Sequence, residues 1–170
     1  MNVPHHPQKA DVRLRLATRD DLDMVFGWRN LDWVIALSAA KHMVTREEHA
    51  AWFTKVLASD DHLFFIVETL EGNGIGILRF DRAGEAAVIS IYLLPEFQGQ
   101  GRGMLTLRLG CERAFDRWND LAGIRATVRS DNAKSLKAFR EVGFADIGTD
   151  EEHGVPVHLL FLKRGKGDSE

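Results

Sequence analysis

The chain has 170 residues, of which 45% are hydrophobic and 28% are charged, and its formal net charge is −3 at pH 7. This length and composition are typical of one globular domain with a sizeable core, and the negative balance argues against a nucleic-acid binder that relies on bulk charge. The single cysteine, Cys111, excludes an internal disulfide and a cysteine-based zinc site, and its apolar helical neighbours predict a core residue.

Composition along the chain predicts one domain between two short tails. Residues 1–10 are polar and contain prolines, so we expect a disordered N-terminal tail. Residues 11–164 form the predicted domain, and residues 165–170 are a polar C-terminal tail. No stretch has the length and hydrophobicity of a membrane span or a secretory leader, which leads us to expect a cytoplasmic protein.

The first third of the chain predicts one strand followed by helices. Alternating apolar residues at 12–17 indicate a half-buried strand, and Thr18 is a plausible N-cap for the helix that follows. Residues 32–43 form a connecting region with helical pieces. The Thr45–Glu48 spacing is that of a capping box and begins the next helix.

The middle of the chain predicts three consecutive strands. Residues 62–69 and 74–82 are strands joined by a hairpin turn at 71–74, which contains two glycines and an asparagine. The β-branched and aliphatic run at 88–94 predicts a buried central strand, and Pro95 ends it.

The last third of the chain alternates helices and strands. Apolar spacing predicts a long helix over 104–118, and a strand follows at 124–129. Asp131 or Asn132 caps the next helix, Gly143 ends it, and residues 144–147 and 155–163 are a final pair of strands. This order predicts an α/β domain whose mixed sheet carries helices on both faces.

A glycine-rich segment, 98–103, lies between the end of the central strand and the start of the long helix. Unpaired N–H groups and the helix dipole at such a place favour a phosphate or pyrophosphate, and glycines let the backbone approach it. No Gly-Lys-Ser/Thr ending follows, and the glycine spacing fits a dinucleotide fingerprint poorly. An ordinary flexible loop is the alternative.

Two motifs together carry a family resemblance. Gln98-x-x-Gly101-x-Gly103 after a strand resembles the acyl-CoA pyrophosphate loop of the GNAT superfamily of N-acyltransferases. The segment from Asn132 to Phe144, an Asn that opens a helix ending in Gly-Phe, resembles the second motif of that family. The resemblance spans residues 13–163. It implies a mixed, mostly antiparallel sheet of about seven strands flanked by helices and splayed at a central parallel pair, here 88–94 and 124–129.

The resemblance implies acetyl-CoA as acyl donor and no metal. The backbone of Leu93 and Leu94 should bind the pantetheine arm and polarise the thioester carbonyl. Asn132 should bind the pantetheine, or it is a plain helix cap. The implied pyrophosphate-binding residues are Gln98, Gly99, Gln100, Gly101, Arg102 and Gly103, the arginine adding a cation.

One position departs from the family pattern. The usual general acid is a tyrosine four residues before the Gly of Gly-Phe, and here that residue is Phe139, which has no proton to donate and should pack against the thiol end of the carrier. Tyr92, the single tyrosine, Ser90 or a water could replace the acid, or the thiolate could leave unassisted because a thiol pKa is about 8.5. A CoA-binding sensor without turnover is also compatible with this departure.

Removal of the proton from the attacking amine requires a base or a water wire. Glu85 beside the central strand, Ser90 through a water, and His42 or His49 are the candidates, and the strand pattern adds Glu68.

The segment before the hairpin should recognise the acceptor. It resembles the corresponding segment of N-acetyltransferases that modify nucleotide-linked amino sugars in pseudaminic-acid synthesis and, less sharply, that of ribosomal-protein N-acetyltransferases. An Arg and a His can bind phosphate, and a Trp offers an apolar face to a sugar or base; the alternative for the aromatic residues is the core. The candidate substrate-binding residues are Trp28, Arg29, Asn30, His49 and Trp52.

The sequence therefore predicts an N-acetyltransferase that transfers acetyl from acetyl-CoA to a primary amine by direct attack. A small amine such as a nucleotide-linked amino sugar is the expected acceptor, and a peptide amino terminus is the alternative. We expect no nucleic-acid or membrane partner and allow a homodimer.

Overall fold

A computed structural model describes residues 11–38 and 40–165. The predicted N-terminal tail, residues 1–10, lies outside the described residues, as do residue 39 and residues 166–170 of the predicted C-terminal tail. The strands are β1 Val12–Leu16, β2 His62–Thr69, β3 Gly74–Ala83, β4 Ala86–Leu93, β5 Gly123–Arg129, β6 Ala145–Glu152 and β7 Val155–Lys163. The helices are α1 Leu22–Arg29, α2 Asp32–Leu37, α3 Arg46–Ala58, α4 Arg102–Arg117 and α5 Ala133–Val142.

The strands form one sheet in the order β1-β2-β3-β4-β5-β7-β6. Every neighbouring pair is antiparallel except β4 and β5, which run parallel. The structure confirms the predicted seven-stranded, mostly antiparallel sheet with a central parallel pair.

The parallel pair is joined only at its beginning. Ala86, Ala87 and Val88 pair with β5 residues 123–125, and no further pairs form although β4 continues to Leu93 and β5 to Arg129. The two strands therefore separate towards their carboxyl ends. The main chain of both is left without a neighbouring strand on this side, which opens a cleft in the middle of the sheet.

Side chains alternate between two cores on opposite faces of the sheet. Helices α4 and α5 cover the larger core, into which β4 directs Ala87, Ile89 and Leu93. Helices α1 and α3 cover the smaller one, which Tyr92 of β4 partly borders. Because successive residues of β4 face different helical layers, this strand connects both layers to the cleft.

Most boundaries agree with the sequence prediction within two residues, and the Thr45–Glu48 capping box begins α3 as predicted. Thr18 precedes a 3₁₀ turn at Arg19–Asp21 rather than α1 directly. The predicted strand at 144–147 is in fact the longer β6, which ends at Glu152. All of its residues are exposed, so no alternation of apolar residues could mark its length.

Candidate active site

A cleft of about 810 Å³ lies where β4 and β5 separate, and the α1–α3 layer closes one side of it. The structure brings many of the sequence-predicted residues into this space. Those that line it are Arg29, His42, His49, Trp52, Ser90, Tyr92, Asn132 and Phe139.

The end of β4 presents main-chain groups to the cleft in alternation. The Leu94 N–H donates to the carbonyl of Ile75 at 2.8 Å, so this amide is committed to the β3 side. Because successive peptide groups of a strand point in opposite directions, the N–H groups of Ile91 and Leu93 point towards β5, where strand pairing has ended. Of the two predicted donors, Leu93 keeps an N–H for a bound acyl group and Leu94 does not.

The glycine-rich loop has a backbone with positive φ angles, a conformation that glycine adopts readily. Gly99, Gln100 and Gly101 have φ values of 84°, 55° and 78°, three left-handed residues in succession before α4 begins. The turn leads directly into the first turn of α4, where N–H groups without a partner in the helix favour an anion. A Cβ built on Gly99, Gly101 or Gly103 would meet no heavy atom within 4 Å, so the loop backbone is open to a ligand.

Two side chains of this loop make contacts within the protein. Gln98 donates from Nε2 to the carbonyl oxygen of Leu93 at 2.9 Å. Arg102 donates from Nε to Asp11 Oδ2 at 2.8 Å, and its guanidinium lies 6.0 Å from the Phe97 ring. The Arg102 charge is thus partly neutralised by a residue beside β1, which weakens its predicted part in holding pyrophosphate.

Asn132 is a helix cap. Its Oδ1 accepts a hydrogen bond from the Ser135 N–H at 3.1 Å, at the start of α5. Because Asn132 also lines the cleft, its remaining Nδ2 group can still serve the predicted contact with pantetheine.

Phe139 is 4% exposed, and its ring meets that of Phe144 edge-on at 5.0 Å. This residue belongs to the core under α4 and α5 and also borders the cleft. A phenyl ring there offers an apolar surface and no proton, so protonation of a leaving group must come from another residue or from water.

Tyr92 is a candidate for that role, because it lines the cleft and carries a hydroxyl. It lies on β4 two residues after Ser90, on the same face of the sheet, and both line the cleft. Burial raises the pKa of the Tyr92 phenol, against a smaller lowering by Arg29 and Arg79. The hydroxyl therefore stays protonated at neutral pH and can donate.

The structure does not place Glu85 or Glu68 in the cleft. Glu85 is exposed in the turn between β3 and β4, about 25 Å along the strand from Leu93, at the end where β4 and β5 are still paired. Glu68 accepts from Arg13 at 2.8 Å and from Arg15 at 2.7 Å on β1. The predictions of Glu85 and Glu68 as bases are therefore not supported by their positions.

Two of the five candidate acceptor residues are structural. Asn30 uses both ends of its amide on Val44, donating at 3.0 Å and accepting at 2.9 Å, which fixes the segment before α3. Trp28 packs against the smaller core and contacts the start of β3 at Gly74. Neither lines the cleft, so the core alternative holds for Trp28.

His49 is 3% exposed and stacks on Phe53 at 5.6 Å with an interplanar angle of 17°. Its Nε2 has no hydrogen-bond partner among residues 11–38 and 40–165. Burial, followed by the charge of Arg29, lowers the His49 pKa, so the imidazole is neutral at pH 7.

Arg79 is a cleft residue that sequence reasoning missed. It lies on β3 directly opposite Ser90, and its guanidinium sits 5.2 Å from the centre of the Trp52 ring. The signal in the sequence was a charged residue within the apolar run from Ile77 to Phe80. Such a residue must face either solvent or a polar cavity.

Comparison with known proteins adds a family and a fold. The family model described as an acetyltransferase (GNAT) domain matches residues 11–145. No curated protein matches the chain significantly. No helix in the described part of the chain is long and apolar enough to cross a membrane, and no cluster of three potential metal ligands occurs there.

Among solved structures, several of Vibrio cholerae spermidine N-acetyltransferase are similar in fold. The complex with CoA and spermine has a TM-score of 0.79 at 19% identity and covers 91% of this chain and 96% of that one. Mutant forms of the enzyme have a TM-score of 0.77 at 20% identity, and the match covers 91% of this chain and 95% of that one. A dodecameric structure in an intermediate state has a TM-score of 0.74 at 19% identity, and the match again covers 91% of this chain and 95% of that one.

Proposed function

The chain belongs to the GNAT family of acetyltransferases, and we propose that it transfers the acetyl group of acetyl-CoA to the primary amine of a small molecule. The observation that most supports this is the conjunction of two features at the carboxyl end of β4. The strand separates from β5 there, and three left-handed residues lead into α4 directly afterwards.

These features suit the two ends of the donor. The N–H groups of the loop from Gly99 to Gly103, apart from that of Arg102, which donates to the Gly99 carbonyl at 3.3 Å, would hold the pyrophosphate, because the loop is open. The N–H groups of Ile91 and Leu93 would hold the pantetheine arm, because they point towards the gap between β4 and β5. Asn132 lies at the other side of that gap and would add a side-chain donor.

When bound, acetyl-CoA supplies an acyl carbon activated as a thioester. The Leu93 N–H would act as a fixed donor to its carbonyl oxygen. The attacking amine must lose a proton, and neutral His49 or Ser90 through a water are the bases that the cleft offers. The Tyr92 hydroxyl would donate a proton to the departing sulfur. Phe139 has no hydroxyl and cannot do so.

The acceptor side of the cleft fits a small amine. Trp52 is 38% exposed and offers an apolar face, and Arg29 and Arg79 border the same wall. A nucleotide-linked amino sugar, as the sequence resemblance suggests, is one such acceptor. The similar Vibrio cholerae enzyme is described as a spermidine N-acetyltransferase with a dodecameric form, which makes a small amine acceptor and homo-oligomerisation part of this proposal.

Isothermal titration with acetyl-CoA, followed by thiol release across a panel of amines, tests the proposal. We expect saturable one-site binding and thiol release with at least one class of small amine. Tyr92→Phe should then lower kcat more than it raises KM, because it removes a group used only as the thiolate leaves. Binding without release across the panel would favour a sensor, release with peptides alone would favour a protein N-acetyltransferase, and absence of binding would overturn the proposal.

A further inference from the structure

The wall of the cleft that would receive the acceptor carries two arginines from different elements. Arg79 on β3 donates from Nε to Asp81 Oδ2 at 3.0 Å, and Asp81 is also in contact with His62 Nδ1 at 2.7 Å. The Arg79 guanidinium lies 5.2 Å from the centre of the Trp52 ring. Asp81 and Trp52 together hold this cation in one orientation at the cleft, which lowers the entropic cost of using it for binding.

Arg29, at the last position of α1, is the second arginine. Its Nη1 atom is buried and has no hydrogen-bond partner within the described residues. Buried donors are almost always satisfied in folded proteins, and a guanidinium without a partner is costly. An anionic ligand would supply the missing acceptor.

The acidic residues that line the cleft do not compensate these cations. Glu48 accepts the Thr45 N–H at 2.8 Å in the capping box at the start of α3. Glu152 is exposed at the end of β6. Asp81 pairs with Arg79 and partly neutralises it, so among the described residues Arg29 carries the unpaired positive charge of this wall, although the chain as a whole has a net charge of −3. A polyamine would meet like charge there, and like charges at short range are repelled.

Both arginines lie near the reacting end of the cleft. Arg79 is opposite Ser90 in the β3–β4 register, and Ile77, two residues away, is opposite Tyr92. Arg29, at the end of α1, lines the same cleft as Ser90 and Tyr92. A small molecule bound to the arginines would therefore place its amine near β4.

We propose that Arg29 and Arg79 bind an anionic group of the acceptor, a phosphate or a carboxylate, so that the enzyme selects amines that carry negative charge over neutral amines and polyamines. The inference rests on the proposed acetyltransferase function. Guanidinium groups bind both anions through paired hydrogen bonds. Trp52 packs against the apolar part of the same molecule.

Matched acceptors measure this selection directly. Glucosamine 6-phosphate is compared with glucosamine. O-phosphoethanolamine and β-alanine are each compared with ethanolamine, and spermidine serves as the cationic probe. In thiol-release assays we expect kcat/KM to be at least about tenfold higher for the anionic member of each pair. The phosphate and carboxylate probes separate the two anions.

Variants assign the effect to the two residues. Arg29→Gln and Arg79→Gln should each lower kcat/KM for the anionic acceptors about tenfold or more, mainly through KM. The loss for the neutral member of each pair should be several times smaller, and the Kd of acetyl-CoA should stay within about twofold of the wild-type value. Arg46→Gln is the matched control, because Arg46 is an exposed arginine of α3 paired with Asp23 outside the cleft. Circular dichroism verifies that each variant is folded.

A direct binding measurement separates this inference from the proposed function. Glucosamine 6-phosphate is titrated into the CoA-saturated protein by calorimetry, with wild type and Arg29→Gln compared. Binding that the variant loses, without turnover of any amine, would support the anion site while the acetyltransferase proposal failed. Three results would overturn the inference. They are a kcat/KM for neutral amines or spermidine that equals or exceeds that for the anionic acceptors, an equal loss of kcat/KM for both members of a pair in the arginine variants, and no binding of glucosamine 6-phosphate.

Discussion

The side-chain amide of Gln98 donates a hydrogen bond to the main-chain carbonyl of Leu93 at 2.9 Å. This bond joins the first residue of the glycine-rich loop to the last residue of β4. The two main-chain segments proposed to hold opposite ends of the donor are thereby fixed relative to each other. The family motif begins with Gln or Arg, and we propose that Gln98 acts in this chain by positioning the loop through this bond.

Gln98→Glu tests this positioning. The carboxylate has nearly the shape of the amide but cannot donate when ionised, so it faces the Leu93 carbonyl oxygen with like polarity. We expect the Kd of acetyl-CoA to rise about tenfold by calorimetry. Gln100→Asn, which keeps an amide and tolerates the left-handed backbone, should change the Kd less than about threefold. Equal losses in both variants would contradict a specific role for Gln98.

Gly103 offers a way to block the loop without strain. It has no positive φ, and a Cβ there meets nothing within 4 Å, so Gly103→Ala should stabilise α4 by about 0.5–1 kcal/mol. Gly103→Leu should keep the thermal midpoint and weaken acetyl-CoA binding at least about thirtyfold, because the side chain occupies the proposed pyrophosphate site.

Gly101→Ala provides the comparison for the glycine variants, since φ at Gly101 is 78° and the substitution costs about 1 kcal/mol in stability. Differential scanning calorimetry measures the thermal stability of each glycine variant, and titration with acetyl-CoA measures its Kd. Undiminished binding by Gly103→Leu would refute the assignment of the loop to pyrophosphate.

Phe139→Tyr restores the hydroxyl that the family pattern has at this position. We expect kcat to increase severalfold near pH 7, together with a loss of about 1–2 kcal/mol in stability because the position is buried. Phe139→Leu, which has no hydroxyl, should lose stability without any gain in kcat. A fall in kcat in the tyrosine variant would show that a hydroxyl at this position does not serve the leaving group, and Tyr92→Phe in the same background tests whether Tyr92 supplies the proton.

His49 should make the stability of the fold depend on pH in the weakly acidic range. Burial and Arg29 lower its pKa in the folded state, whereas an unfolded histidine has a pKa of about 6.5. As the pH falls below about 6.5, His49 therefore binds a proton in the unfolded chain while it stays neutral in the folded one. The stabilisation is complete above that pH and is lost below it, by at most about 1.4 kcal/mol per pH unit.

Urea unfolding at a series of pH values measures this dependence. His49→Gln should flatten the curve between about pH 7 and about pH 5, whereas His153→Gln, at an exposed position in the turn after β6, should not. An unchanged slope in His49→Gln would mean that folding does not lower the pKa of His49.

Arg164 should stabilise the carboxyl end of α4. Its guanidinium donates to the carbonyl oxygens of Leu121, Phe115 and Trp118 and lies 4.7 Å from the centre of the Phe115 ring. These are carbonyls at and beyond the end of the helix, where a cation also suits the dipole. We expect Arg164→Met to lower the free energy of unfolding by about 2–3 kcal/mol without changing the Kd of acetyl-CoA.

Arg117→Met is the control for Arg164, because Arg117 pairs with Asp60, whose side chain is 98% exposed, and such pairs contribute at most about 1 kcal/mol. Equal losses in the two variants would show that the three carbonyl contacts have no special value.

Local signals in the sequence were sufficient for much of the donor side. The glycine spacing at 98–103 reflects left-handed backbone that few other residues adopt, and the structure has that backbone at Gly99 and Gly101. The Thr45–Glu48 spacing placed the start of α3 correctly, and Gly143 ends α5 as predicted. These features depend on a few consecutive residues and their own backbone conformations, so they can be read without knowledge of the fold.

The acceptor side was decided by tertiary structure. Trp28 and Trp52 both lie on helices before the hairpin, yet one packs against the smaller core and the other borders the cleft. Glu85 is next to the central strand in sequence and at its far end in space, whereas Arg79, remote in sequence from the motifs, is opposite Ser90. The reason is physical. Composition and periodicity determine which element a residue joins, whereas strand register and helix packing determine which side chains meet across elements.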